Sequence, residues 1–200
     1  MLQEARRRAD ALPNRERERL AWVQADLRRL RLSRRFDRVL LPLGTWESLL
    51  TPEDQLQALR VVRAHLSPAG LAFLDLSDLS PEELIGEPVR GTAPLFFLSE
   101  SLAPNGEREE TLALFFTRRL DLDRQWRIEE YTLERFDRGG KLRGRLHVPR
   151  IRRWSHRYEM EHLFARAGLE PVELLGDFSS GPFAAGGRQI WTLRIVEPTG

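Results

Sequence analysis

Residues 35–78, RFDRVLLPLGTWESLLTPEDQLQALRVVRAHLSPAGLAFLDLSD, constrain the fold more than any other stretch of the chain. Val39-Leu40-Leu41 is an apolar run too short for a helix and flanked by breakers. Thr51 suits an N-cap, Pro52 the first helical position, and Asp54 an approximate capping box. Leu56, Leu59, Val62 and Leu66 then recur at helical spacing and make one buried face. Ser67-Pro68-Ala69-Gly70 is a stop signal, and Leu71 to Leu76 is a second apolar run of strand length. Two apolar strands joined by an amphipathic helix predict a βαβ unit. Its strands are parallel, buried on both faces, and connected by a right-handed crossover.

The same letters, FDRVLLPLGTWESLLTPEDQLQALRVVRAHLSPAGLAFLDL, resemble the fourth strand, following helix and fifth strand of class I S-adenosylmethionine-dependent methyltransferases. The likeness is to the small-molecule type, in which FD-x-V opens strand four and L-x-P-x-G precedes strand five. It implies an α/β fold, a Rossmann-like three-layer sandwich whose family strand order is 3-2-1-4-5-7-6. Leu20 to Asp26, apolar residues leading into an acidic one, are similar to the family's third strand. Ser155 is placed to cap a helix carrying Met160, Leu163, Phe164 and Ala167 on one face, and Gly168 stands where a left-handed C-terminal residue is wanted. RYEMEHLFARAGLEPVELLGDF…RQIWTLRI resembles the closing helix and antiparallel strand pair of the same family.

Between these parts the pattern changes. Gly86 to Pro94 is a linker rich in Gly and Pro, and Leu95 to Leu98 is a short apolar run. Thr111–Leu120, Trp126–Phe136 and Leu142–Pro149 read as strands, with hairpin turns at Asp121–Arg124 and Asp137–Gly140. This is an antiparallel β insertion with one face packed and one wet. The resemblance implies that it covers the substrate side. The expected organisation is one domain in three parts. A partial cofactor-binding α/β core spans 1–85, the insertion spans 86–153, and the helix and strand pair of 154–200 complete the core.

The opening helix, with Leu2, Ala5, Ala9 and Leu12 on one face, is similar to the one that follows the family's second strand. The glycine-rich loop and strand-two acid that precede it there are absent from this sequence, so the resemblance implies an N-terminally incomplete, truncated fold. Two lost ribose hydrogen bonds at about 1.5–3 kcal/mol each lower cofactor affinity on the order of a hundred- to ten-thousand-fold. The expectation is weakened or lost binding of S-adenosyl-L-methionine and an open sheet edge through which the chain forms homo-oligomers. The alternative is a non-catalytic degenerate fold acting as an interaction module.

Composition narrows the classes. A hydrophobic fraction of 41% with 31% charged residues describes a soluble globular chain, expected to be cytoplasmic; no apolar run reaches membrane-span length and MLQEARRRAD is no signal peptide. There is no cysteine, which excludes disulfides and thiolate chemistry. The net charge of +2 argues against a nucleic-acid partner, although Arg118, Arg119, Arg150, Arg152, Arg153 and Arg157 cluster in or beside the insertion. His65, His147, His156 and His162 have no zinc-ligand spacing, so no metal is expected, and there is no P-loop, dinucleotide fingerprint or nucleophile elbow.

The resemblance assigns cofactor contacts to two places. Ala25, Asp26 and Leu27 follow strand three, where the acid accepts a hydrogen bond from the adenine amino group. Leu41, Pro42 and Leu43 end strand four, beneath the methionine part. The alternative for Asp26, second to the adenine role, is an N-cap or a solvated acid. Trp46, Glu47, Arg119, Tyr158 and Asp177 are substrate-side candidates, with His156 beside them. As bare sequence, Trp46 reads as core, and Glu47 as an exposed loop carboxylate before it reads as a general base. No catalytic residue stands out. The methyl carbon is already activated, so methyl transfer to a small molecule needs positioning and removal of a proton more than a nucleophile.

Overall fold

The computed structural model describes residues 2–81, 83, 95–102 and 108–196. Its centre is the expected βαβ unit: β1 (Phe36–Leu41), a helix α3 (Pro52–His65) and β2 (Leu66–Ser77). Two shorter helices, α1 (Leu2–Ala9) and α2 (Asn14–Arg17), precede it. β1 and β2 are parallel, with Val39 opposite Ala72 and Leu41 opposite Leu74. The Thr51 hydroxyl accepts the Asp54 N–H at 3.1 Å, so the cap forms as the sequence indicates. Leu56, Ala58, Leu59 and Val62 of α3 are buried against the sheet.

The stop signal at Ser67–Gly70 does not make a turn. α3 ends at His65 and the chain enters β2 at Leu66 directly. Phe36 pairs with Leu66, and the register shift before Arg38 takes up residues 67–70 as an irregularity in the ladder. A Cβ on Gly70 would lie 2.9 Å from the Phe36 carbonyl oxygen, so only glycine allows that approach.

The strand expected at Leu20–Asp26 is not one. These residues form no strand, and Leu20, Trp22 and Val23 are exposed. An extended segment needs a neighbour for its N–H and C=O groups, and no described strand pairs with it.

After the second sheet come α4 (Arg157–Ala167), β7 (Leu169–Leu175) and β8 (Arg188–Ile195). The core sheet runs β1-β2-β8-β7, with β8 antiparallel to both neighbours. That is the 4-5-7-6 portion of the expected order. Gly168 takes φ +71° and closes α4. The cap of α4 departs from expectation: His156 holds the N-cap position. Ser155 is fully buried, its hydroxyl taken by Gln55 Nε2 at 3.3 Å and Arg153 Nη1 at 3.1 Å. Leu59, Leu66, Leu74, Met160, Phe164, Trp191 and Leu193 fill the core between α3, α4 and the sheet.

The insertion is a second, all-antiparallel sheet in the order β3 (Leu95–Leu102), β4 (Arg108–Asp121), β5 (Trp126–Asp137), β6 (Leu142–Arg153). The Asp137 carboxylate accepts the N–H groups of Gly139 and Lys141, and Gly140 has φ +75°, so the predicted hairpin turn forms. Cross-strand register puts Arg118, Glu129 and Arg127, Arg152 on one face of this sheet, towards its β6 C-terminal end. The linker Gly86–Pro94 lies outside the described residues. Among the described residues no helix is long and apolar enough to cross a membrane.

Candidate functional site

A parallel βαβ unit brings its strand carboxyl ends to one edge of the sheet, and ligands of such sheets sit beyond them. There β1 runs into Pro42-Leu43-Gly44. Leu43 has φ +58° and Gly44 φ +63°, and the Leu43 N–H donates to Asp75 Oδ2 at 3.2 Å. Leu43 is 86% exposed. A leucine held left-handed with its side chain in water is a strained arrangement, kept by a carboxylate from β2. Leu41 is buried in the core, so it presents backbone rather than side chain here.

Trp46 is completely buried, which settles its core reading, although its Nε1 has no hydrogen-bond partner. Glu47, expected as an exposed loop carboxylate, is 1% exposed. Its Oε1 accepts the Ser77 N–H at 2.9 Å and its Oε2 accepts Arg152 Nη1 at 2.7 Å. Both oxygens find strong donors, and this offsets the cost of burying the charge. Arg152 also donates to both oxygens of Glu129, at 2.6 and 3.0 Å. Burial, and then the Glu129 charge, push the Tyr131 phenol above its ordinary range.

A second group closes the carboxyl end of β2. Arg127, 4% exposed, donates from Nη2 to the Asp78 carbonyl at 2.5 Å and to Glu83 Oε2 at 3.0 Å; Arg118 also pairs with Glu83. Burial raises the Glu83 carboxyl, but the Ser80 N–H and Arg127 outweigh it and leave it below the usual range. Ser77, Asp78, Glu83, Arg118, Arg127 and Arg188 line a cavity of about 260 Å³ between the two sheets. On the other side of Asp78, its Oδ1 lies 2.6 Å from His156 Nδ1.

Asp26 is exposed, and its carboxylate is gripped by Arg28, whose guanidinium also reaches Asp54 in the first turn of α3 at 2.9 Å. The first turn of α3 is the end nearest the β1 carboxyl terminus, so the clamp ties Asp26 to the same side of the sheet as Leu43. Hydrogen bonds from the Arg28 side chain and N–H bring the Asp26 carboxyl down to about 2. A depressed folded value means that the ionised clamp persists above the unfolded range and opens as pH falls from about 4 through 2. Carboxyl NMR is expected to show an Asp26 midpoint of about 2, returning towards the ordinary 3.8 in R28A. Ala25 and Leu27 line an open cavity of about 520 Å³ that reaches Phe36, and Leu27 also packs on the main core.

The remaining candidates do not converge on this place. Arg119 is exposed on the face of β4 opposite Arg118. Tyr158 is 68% exposed under the Arg157 guanidinium. The Asp177 carboxylate accepts the Ser179 and Gly181 N–H groups and shapes the β7–β8 loop. None of the three lines the cavity at Asp78, and His156 meets Asp78 from outside that lining. Asp78, Glu83, Arg127 and Arg188 were not singled out by sequence, whereas Glu129 is one of the acids on neighbouring strands that balance the insertion's arginines, and it does pair with Arg152. The signal was present for Asp78, the acid that ends the apolar run LAFLDLSD. Among the described residues no cluster of three His, Asp or Glu forms a metal site.

No protein-family model and no curated protein matches the chain. Solved structures do. The CcbJ methyltransferase from Streptomyces caelestis superposes with TM-score 0.71 at 21% identity, covering 98% of this chain and 71% of that one. An S-adenosylmethionine-dependent methyltransferase from Clostridium acetobutylicum ATCC 824 gives 0.67 at 16% identity, over 97% and 70%. SAM-bound CalS10 from Micromonospora echinaspora, an amino pentose methyltransferase, gives 0.57 at 21%, over 84% and 62%. The chain therefore has the Rossmann-like α/β fold of these enzymes.

Proposed function

We propose that this chain serves methyl transfer from S-adenosylmethionine to a small-molecule acceptor. The observation that carries the reading is the carboxyl end of β1. Leu43 is exposed and left-handed, fixed by Asp75, on a fold shared with small-molecule methyltransferases. When bound, the cofactor supplies an activated methyl group on a positively charged sulfur. Leu43 suits its methionine part, and Asp26 with Ala25 and Leu27 suits the adenine part; the Pro42 carbonyl is already taken by the Thr45 hydroxyl at 2.7 Å and N–H at 3.2 Å. Asp26 is an acceptor already engaged by Arg28, so it is oriented but shared. The chain's own work is to hold the acceptor over β1 and β2 and to exclude water with the second sheet. Arg152, clamped between Glu47 and Glu129, fixes that sheet to the loop after β1. The open edge of β1 is proposed as the surface through which copies of the chain associate.

Calorimetry on the full chain tests this. Weak but saturable S-adenosylmethionine binding is expected, lost in L43D and weakened further in D26A. Absence of binding at millimolar cofactor would overturn the reading and leave the fold as an interaction module.

A further inference from the structure

His156 occupies a position that a helix would rather give to another residue. The N-cap of an eleven-residue helix is best filled by Ser, Thr, Asp or Asn, whose oxygen accepts an N–H from the first turn. Ser155 is one residue away, yet its hydroxyl is turned inward and the His156 side chain makes no capping bond. Instead the imidazole Nδ1 meets Asp78 Oδ1 at 2.6 Å. The forgone cap is a local rule broken where another interaction replaces it, and such places are commonly functional.

The partner is well fixed. The Asp78 carboxylate is 6% exposed and also accepts the Leu79 N–H at 2.7 Å. Its backbone is held from both sides: the N–H donates to the Gly187 carbonyl at 3.0 Å, and the carbonyl accepts from Arg127. Asp78 directly follows β2, at the carboxyl end of the parallel pair, and lines the cavity between the sheets. The His156 side chain is 53% exposed, so the ring is anchored through Nδ1 and open to solvent elsewhere. The other charged groups around the pair are engaged. Arg127 and Arg118 hold Glu83, Arg152 is held by Glu47 and Glu129, Arg188 lies 3.6 Å from Asp75, Arg153 pairs with Glu159, and Arg157 pairs with Glu161.

We infer that His156, oriented by Asp78, is the proton acceptor for the hydroxyl or amine that this site methylates. The inference rests on the methyl-transfer reading above. Asp78 accepts the Nδ1–H and so fixes the tautomer that leaves Nε2 with a free lone pair. Nε2 takes the acceptor's proton as the acceptor's oxygen or nitrogen bonds to the donor's methyl carbon and the carbon–sulfur electron pair stays on sulfur. The imidazolium formed is stabilised by the Asp78 charge beside it. His156 is then the catalytic residue and Asp78 its positioning residue.

Two measurements on the full chain decide it. The first is long-range proton–nitrogen NMR of the histidine rings, which needs no acceptor. Neutral His156 is expected to carry its proton on Nδ1, and D78N to abolish that preference; an Nε2–H tautomer, or a tautomer unchanged in D78N, overturns the pairing. The second is transfer of labelled methyl from S-adenosylmethionine to a panel of small amines, phenols and sugar alcohols. H156Q is expected to lower kcat on the order of 10²- to 10⁴-fold with KM little changed. It is also expected to remove the acid-side fall of kcat/KM while its thermal midpoint stays near wild type. D78N is expected to lower kcat less and to keep that fall. An H156Q enzyme as fast as wild type overturns the assignment while leaving methyl transfer intact. A wild-type chain that methylates nothing overturns methyl transfer, and His156's part in it, whatever its tautomer.

Discussion

Replacing Arg153 by alanine is expected to cost about 3–5 kcal/mol of folding stability, because it breaks a buried charged network from one side only. Arg153 is 3% exposed at the end of β6, where the second sheet meets α3 and α4. Its guanidinium donates to Gln55 Oε1 at 3.0 Å, Ser155 Oγ at 3.1 Å, Gln125 Oε1 at 2.5 Å and Glu159 Oε1 at 2.6 Å. Gln55 and Ser155 are fully buried, so water does not replace the lost donors. Among the described residues Glu159 keeps only Gln125 Nε2, at 3.1 Å, as a hydrogen-bond partner. A lysine keeps the charge but not the fork that reaches four acceptors, so R153K is expected to fall between wild type and R153A. The measurement is a thermal and urea unfolding series. For a chain of this size the drop in midpoint is on the order of 10 °C. A midpoint in R153A within about 2 °C of wild type would show that the two sheets are joined mainly by other contacts.

Trp191→Ala is expected to cost a similar amount, about 3–5 kcal/mol, for a different reason. Trp191 of β8 is 1% exposed and meets Phe164 of α4 edge-on, with ring centroids 5.1 Å apart and planes at 74°. The pair adds about 0.5–1.5 kcal/mol to plain area burial. The indole N–H donates to Gln189 Oε1 at 2.9 Å, and Gln189 Nε2 donates to the Ser155 carbonyl at 2.8 Å. Alanine therefore leaves a cavity and also unties a buried relay from β8 to the start of α4. W191F keeps most of the ring contact and loses only the N–H. Its expected cost is about 1–3 kcal/mol, the price of one unsatisfied buried acceptor. Denaturant midpoints of both variants test this. W191F as damaging as W191A would assign the effect to the hydrogen bond rather than to the cavity.

How far each feature could be read from the letters depended on how local its cause was. The cap at Thr51, the hairpin at Asp137 and the left-handed close at Gly168 each rest on a side chain or dihedral within a few residues, and each forms as expected. Ser155 failed as a cap although its local signal was good. The Arg153 guanidinium, two residues back, and the Gln55 amide, 100 positions away, compete for its hydroxyl inside the core, and only the tertiary packing brings Gln55 there. Ser67–Gly70 failed as a turn because pairing of Leu66 with Phe36, thirty positions away, extends the ladder through it. Glu47 read as exposed because nothing near it in sequence is a cation. Arg152, its partner, comes from the far end of the second sheet.

What the sequence alone determined is the βαβ unit, the antiparallel insertion and the closing helix and strand pair. Their apolar periodicity is local, and burial of an apolar face follows from it. Only the tertiary structure decided which charges meet. It took Leu20–Asp26 out of the sheet, turned Glu47 inward and brought Arg118, Arg127 and Arg152 of the second sheet onto Glu83 and Glu47, which follow β2 and β1 of the first. It also set His156 against Asp78, two residues separated by the whole second sheet. Charge pairing across a buried interface depends on distances of a few ångströms between elements remote in sequence, and no spacing along the chain encodes them.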